Sequence, residues 1–345
     1  MNGMSRRRVA AWLLGVALAG ARAADGLPEP GSPEFQAKTE ALARANAAVV
    51  GVLSVAVDRA GSIETLGQMR RGSGVVIDAE GLVLTIGYLI LEADRVDLLV
   101  DGERRIPARV VAYDLATGFG LLQALAPVRV PPVALGRSTG LPADEPLIVA
   151  SGGSDAEITV ARLVAQRPFS GYWEYHIDGA VFTAPQRTDH SGAALFNLDG
   201  ELVGIGSLAV ANVFASGRQR LPGNMFVPID LLKPILGELR TRGASSGSTR
   251  AWLGVNCVED PAEHSVRVVR VTRDGPADQA GVQPGDRIVR IDDAEVANLE
   301  ALYKSLWRDA PEREVTLEIR RDGRSQTLRA RSVDRMKTLS KPEGI

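Results

Sequence analysis

Ser191 sits in the run Thr188-Asp189-His190-Ser191-Gly192-Ala193-Ala194-Leu195, a loop of small and polar residues that leads into apolar residues. A serine hydroxyl cuts amides only when three things surround it. A base must take its proton, a carboxylate must orient that base, and backbone N–H donors must face the developing oxyanion. The chain has three histidines. His190 is the sequence neighbour of Ser191, and adjacent side chains diverge in extended or turn segments, so it is expected to be an ordinary polar loop residue. His176 lies among Phe169, Tyr172, Trp173 and Tyr175 and is expected either as a packed loop histidine or lining the same cleft. His264 falls too far along the chain. No lysine stands near these motifs. Metal and cofactor chemistry lacks its signatures: there is no His-Glu-x-x-His, no cysteine pair and no Walker loop, so neither a cofactor nor a metal is expected. Gly72-Ser73-Gly74 reads as a turn.

The elements that must position these residues are mostly short β runs. They read as Val49 to Val57, Gly74 to Ile77, Leu82 to Thr85, Val96 to Val100, Ala108 to Val111, Leu121 to Leu125, Leu147 to Ala150, Thr159 to Ala165, Val181 to Thr183, Ala194 to Asn197 and Glu201 to Ser207. Short strands separated by Gly, Asp-Gly or Pro predict a barrel or sandwich. Ahead of them, Ser32-Pro33-Glu34 supplies an N-cap, a proline at the first helical position and an acid in the first turn, predicting a helix to about Asn46. Later, Asp230 is expected to cap a helix whose apolar face is Leu232, Ile235, Leu236 and Leu239. The Gly/Ser-rich stretch 241–249 reads as a flexible linker. Beyond it, Leu299, Leu302, Tyr303 and Leu306 form one helical face after Asn298. Val315, Leu317 and Ile319 alternate along a strand that turns at Asp322-Gly323. The tail 334–345 is expected to be disordered from Met336.

At the N-terminus, Arg6-Arg7-Arg8, the apolar run Val9 to Gly20 and the small residues Ala21-Arg22-Ala23 read as a secretory signal over 1–23. That run is too short to span a bilayer. Ser5-Arg6-Arg7 leaves twin-arginine export as an alternative route to the general secretory one. The chain has 345 residues, a formal net charge of −2 and 45% hydrophobic residues, which allows two or three cores and argues against nucleic-acid binding. Its one cysteine, Cys257, excludes an intramolecular disulfide and is expected to be buried and inert.

Two strings resemble a known family. The loop around Ser191, followed by Leu202-Val203-Gly204-Ile205, is similar to the Gly-Asn-Ser-Gly-Gly-Pro-Leu nucleophile loop of the trypsin-like HtrA (Do-like) proteases. Gly275-Pro276-Ala277, Ala280-Gly281 and Pro284-Gly285-Asp286-Arg287-Ile288 resemble a bacterial PDZ domain. The resemblance implies a trypsin-like double six-stranded β-barrel over 49–240 preceded by a linker and helix over 24–48, then a PDZ domain over 250–333. It also implies an exported, periplasmic protein, and the family commonly forms trimers, so a homotrimer is an expectation. Matched to the family's strings, Leu84-Thr85-Ile86-Gly87-Tyr88-Leu89 puts Tyr88 at the histidine position. Thr117-Gly118-Phe119-Gly120-Leu121-Leu122 puts Gly118 at the aspartate position. Asp189 replaces an oxyanion-hole glycine, and Ala193 and Ala194 replace Gly-Pro. A phenol of reference pKa near 10 is a poor general base at neutral pH. The loss of a triad histidine costs on the order of a millionfold in kcat in subtilisin. Ser191 is therefore expected to be a vestigial nucleophile in a pseudoprotease. In related PDZ domains the loop matching Trp252, Leu253, Gly254 and Val255 binds a terminal carboxylate, with Leu302 and Leu306 facing the peptide. The expected partners are protein C-termini or unfolded polypeptide. An active endopeptidase using Ser191 and a purely architectural envelope subunit are the alternatives.

Overall fold

The computed structural model describes residues 29, 31–214, 220–260 and 263–340. The signal expected over 1–23 lies outside the described residues. Ser32 caps helix α1 (Pro33–Ala47), its hydroxyl accepting from the Phe35 N–H at 3.1 Å, as the cap motif requires.

Two compact units follow. The first contains two closed barrels of six strands. Strands β1 (Val49–Ala56), β2 (Met69–Val76), β3 (Leu82–Ile86), β4 (Ala93–Val100), β5 (Arg104–Tyr113) and β6 (Phe119–Ala124) close in the order β1-β2-β3-β6-β5-β4, with a single-turn helix α2 (Ile63–Leu66) between β1 and β2. The interior is branched and apolar: Val52, Val75, Leu84, Leu98 and Leu121 are all fully buried. Strands β7 (Pro146–Ala150), β8 (Ile158–Gly171), β9 (Tyr175–Ala184), β10 (Ala194–Phe196), β11 (Leu202–Val210) and β12 (Gly223–Pro228) close the second barrel over Leu147, Val149, Leu163, Val181, Leu195 and Phe226. Closure removes the unpaired edges that open sheets expose.

The helix expected after Asp230 starts late. Ile229–Leu231 is a 3-10 turn and α3 runs Leu236–Arg242. Asp230 does not cap it. Its carboxylate instead accepts from the Ser138 and Thr139 N–H groups and the Thr139 hydroxyl, while Lys233 Nζ lies 2.7 Å away. The linker expected over 241–249 is partly ordered. Gly243 ends α3 in the left-handed conformation, and Ser246–Ser248 form a 3-10 turn in which Ser248 is fully buried.

The second unit comprises Ser245–Leu339 together with Pro168–Asp178, the tip of the hairpin between β8 and β9. Its elements are β13 (Ala251–Trp252), β14 (Val255–Asp260), β15 (Ser265–Val271), α4 (Pro276–Gln279), β16 (Arg287–Ile291), β17 (Ala294–Glu295), α5 (Leu299–Leu306), β18 (Glu314–Arg321), β19 (Arg324–Arg331) and β20 (Val333–Asp334). A sheet ordered β14-β15-β16-β18-β19 packs on α5. Asn298 caps α5, accepting from the Ala301 N–H at 2.8 Å. Val315, Leu317 and Ile319 are buried, and Asp322-Gly323 turns with both residues at positive φ, as the alternation and the Asp-Gly pair demand. The tail is ordered further than expected: β20 pairs with β13, and Arg335–Thr338 forms a 3-10 turn.

Candidate functional site

Ser191 lies in the loop before β10, one residue ahead of Gly192. Gly192 takes φ +73°, and a Cβ there would collide with the Ser73 carbonyl, so only glycine fits. The Ser73 N–H donates to the Ser191 carbonyl at 2.8 Å, which joins β2 of the first barrel to this loop of the second. Tyr88 lies in a 3-10 turn (Gly87–Leu89) directly after β3. Its Oη is 2.8 Å from Ser191 Oγ and 2.8 Å from the Ser207 carbonyl oxygen. A phenol has one proton and a carbonyl only accepts. With that proton on Ser207, the Ser191 hydroxyl donates its own proton to the phenol oxygen. Burial pushes the Tyr88 pKa up to about 12, against the opposing pull of its hydrogen bond to Ser191. The phenolate fraction at pH 7 is then roughly one in a hundred thousand.

Gly118 comes next to this turn only through its backbone: its carbonyl accepts from the Gly87 N–H at 2.6 Å. Asp114 closes its own turn, accepting from the Thr117 N–H and hydroxyl. His190 Nδ1 lies 3.1 Å from the Arg187 carbonyl, and burial lowers its pKa. His176 belongs to the second unit, where its Nδ1 is 2.8 Å from Ser170 Oγ. It therefore does not line the cleft that holds Ser191, the alternative expected for it. His264 sits at φ +43° in the turn before β15.

Asp189 and Ser191 share a cleft of about 250 Å³ between the barrels, lined also by Ser73, Gly152 and Asp155. The buried Arg187 guanidinium donates to both Asp189 oxygens, with Nε at 2.9 Å, and the Ser151 hydroxyl donates to Oδ2. Burial alone would raise the Asp189 pKa, but these donors hold it below the usual carboxylate range. A fixed negative charge thus lines the cleft that holds Ser191, where it disfavours the development of a second one.

In the second unit the loop from β13 to β14 turns at Gly254, φ +82°, so that the N–H groups of Leu253, Gly254 and Val255 converge into an anion-binding nest. The Glu174 carboxylate fills it. Oε2 accepts from Leu253 at 3.1 Å, and Oε1 accepts from Gly254 at 2.7 Å and Val255 at 2.9 Å. Complete burial pushes the Glu174 pKa above the usual range, while the Arg335 charge and the three N–H donors pull it back. Cys257 lies beneath, buried, its thiol pKa raised first by that burial and then by the Glu174 charge.

Two family models match the chain. One, described as a trypsin-like peptidase domain, covers residues 72–205, and the other, a PDZ domain, covers 251–331. The chain thus carries a trypsin-like peptidase domain followed by one PDZ domain, and its relatives are proteases of the HtrA/DegP type. It is 27% identical over 263 residues to a probable periplasmic serine endoprotease DegP-like of Hahella chejuensis, covering 73% of this chain and 54% of that protein. It is 28% identical to the serine protease PepD of Mycobacterium tuberculosis, covering 72% and 58% respectively. The chain thus spans little more than half the length of these curated relatives. Among solved structures, the HtrA-type protease AlgW with a decapeptide aligns at TM-score 0.54 and 24% identity, covering 86% of this chain and 98% of that one, a likeness of fold.

Ser191 and Asp189 line one cleft, Tyr88 is joined to Ser191 by a hydrogen bond, and Gly118 approaches only by its main chain. Leu253, Gly254 and Val255 form the nest. Trp252 pairs with Val333 in the short sheet of β13 and β20. Leu302 and Leu306, expected to face a peptide, are each 1% exposed in the domain core with the hairpin in place. The polar contact from α5 is made by Tyr303 instead. Glu174 escaped sequence reasoning, although a carboxylate inside the aromatic run Phe169 to Tyr175 signals a buried acid in need of donors. His176, Asp178 and Glu300 offer ligand atoms within 4.8 Å of one another. The Lys304 ammonium, 2.6 Å from Glu300 and 3.7 Å from Asp178, already supplies positive charge there. No described helix is long and apolar enough to cross a membrane.

Proposed function

We propose that this chain is an exported, periplasmic HtrA/DegP-like protein that holds polypeptide without cutting it, using the trypsin-like unit as scaffold and the PDZ unit to capture peptide ends. One observation carries the reading: the side-chain partner of Ser191 Oγ is the neutral Tyr88 phenol at 2.8 Å. A neutral phenol oxygen is far too weak a base to draw off an alcohol proton. The carboxylate of Asp189 in the same cleft opposes an oxyanion, which supports the same conclusion. Capture of polypeptide draws support from the three N–H groups of the nest, and export from the relatives named periplasmic.

The test is incubation of the mature protein with casein and with a fluorophosphonate probe, beside Ser191→Ala. We expect no cleavage above the variant and no probe labelling of Ser191. Turnover that vanishes in Ser191→Ala would establish the endopeptidase alternative. Absence of both cleavage and peptide binding would leave the architectural one.

A further inference from the structure

The nest at Leu253–Val255 is occupied by the chain itself, and the contacts around it are those of a bound strand. The Cys257 N–H on β14 donates to the Tyr172 carbonyl at 2.8 Å, so the hairpin tip adds main-chain pairing beside that strand. On the other side Tyr303 of α5 uses both capacities of its hydroxyl. It donates to the Gly171 carbonyl at 2.7 Å and accepts from the Glu174 N–H at 3.2 Å. Arg335 Nη1 donates to the Trp173 carbonyl at 3.1 Å. Residues 171–174 therefore lie between β14 and α5 with a carboxylate in the nest, the arrangement by which a strand-adding peptide is recognised.

Two features set this occupant apart from ordinary loop packing. Glu174 adopts φ +57°, a conformation that a non-glycine residue holds only when its surroundings compel it. It is also fully desolvated, and burial works against its charged form. The carboxylate stays because three donors meet it there.

We propose that residues 171–174 are an internal ligand of the PDZ groove, with the Glu174 side-chain carboxylate standing in for a peptide's terminal carboxylate. Free C-terminal peptides are then bound only by displacing the hairpin. This rests on the reading that the PDZ unit captures peptide ends, and it adds that the unit is closed until a competitor opens it. A tethered occupant competes at an effective concentration in the millimolar range. If the groove is open in one molecule in a hundred, the apparent Kd of a peptide rises about a hundredfold.

The test titrates the full chain with a fluorescein-labelled octapeptide ending in valine, made with a free and with an amidated C-terminus. Wild type, Glu174→Ala and Glu174→Gln are compared. We expect wild type to bind the free acid weakly, Glu174→Ala to bind it at least tenfold more tightly, and the amidated peptide to gain nothing. Hydrogen exchange of the full chain provides the second readout and reports folding. The Leu253, Gly254 and Val255 amides should be protected in peptide-free wild type and lose that protection in Glu174→Ala, while the β18 and β19 amides keep theirs. Equal affinity of wild type and Glu174→Ala for the free acid overturns the internal ligand but leaves peptide capture standing. So does an equal gain for the amidated peptide. Failure of every form to bind, with the three amides freed in Glu174→Ala, overturns peptide capture and this proposal together.

Discussion

At position 88 the phenol oxygen accepts from Ser191 but stays in a neutral form whose pKa burial drives up to about 12, too weak a base to draw the proton away. Restoring histidine alone leaves the site without an orienting carboxylate, and Gly118→Asp must place a Cβ at φ +82°. We expect Tyr88→His/Gly118→Asp to release no more dye from labelled casein than Ser191→Ala, because the Asp189 carboxylate still lines the cleft and opposes an oxyanion. Adding Asp189→Gly, which removes that charge, should lift dye release above the Ser191→Ala background, one oxyanion donor being worth about a hundredfold in kcat. The Arg187–Asp189 pair makes a separate prediction through its unequal burial, the arginine side chain being 6% exposed and the aspartate 34%. Asp189→Ala strands a buried guanidinium and should cost about 3 kcal/mol in urea unfolding. Arg187→Met leaves a half-solvated carboxylate and should cost less. Equal losses would show that burial is not what sets the penalty. Short strings in the sequence single out Ser191, Tyr88 and Asp189, and the structure joins Tyr88 to Ser191 and sets Asp189 in the same cleft as Ser191. No such string singles out Glu174, since the N–H groups that hold it are 79 to 81 residues further along the chain.

Strands and caps were legible to the extent that their causes are local. Ser32, Asn298 and Asp322-Gly323 act within a few residues of themselves, and each does what its type and position require. Asp230 misled because its partners, Ser138 and Thr139, lie on another loop about 90 residues earlier and outcompete the capping role. Its pH dependence follows. Burial alone would raise its pKa, but the Lys233, Thr139 and Ser138 donors hold the carboxyl well below its usual value. A depressed folded pKa gives stability that is complete above the unfolded value of about 3.9 and fades as pH falls below it. Asp230→Asn should therefore lose less stability than wild type between pH 6 and pH 3, read from urea midpoints. Parallel losses would deny Asp230 a part in the acid sensitivity.

Across the whole molecule, the double barrel and the PDZ domain follow from strings that the chain carries openly, but the division of the chain between them does not. The backbone passes from one unit to the other at 167/168, 178/179, 244/245 and 339/340. A protease site inserted at Gly247 and cut under native conditions should thus leave two pieces that elute together from gel filtration, since the first piece carries Pro168–Asp178, which packs within the second unit. Separate elution would mean that the hairpin is held too weakly to count as part of that unit. Anyone who clones this protein from Ser245 onward takes the lock without the key already turned in it. Such a fragment, put through a peptide-library screen, would return hits that the intact gene product conceals, and its specificity profile would describe a receptor that the cell meets only after something has pulled the plug.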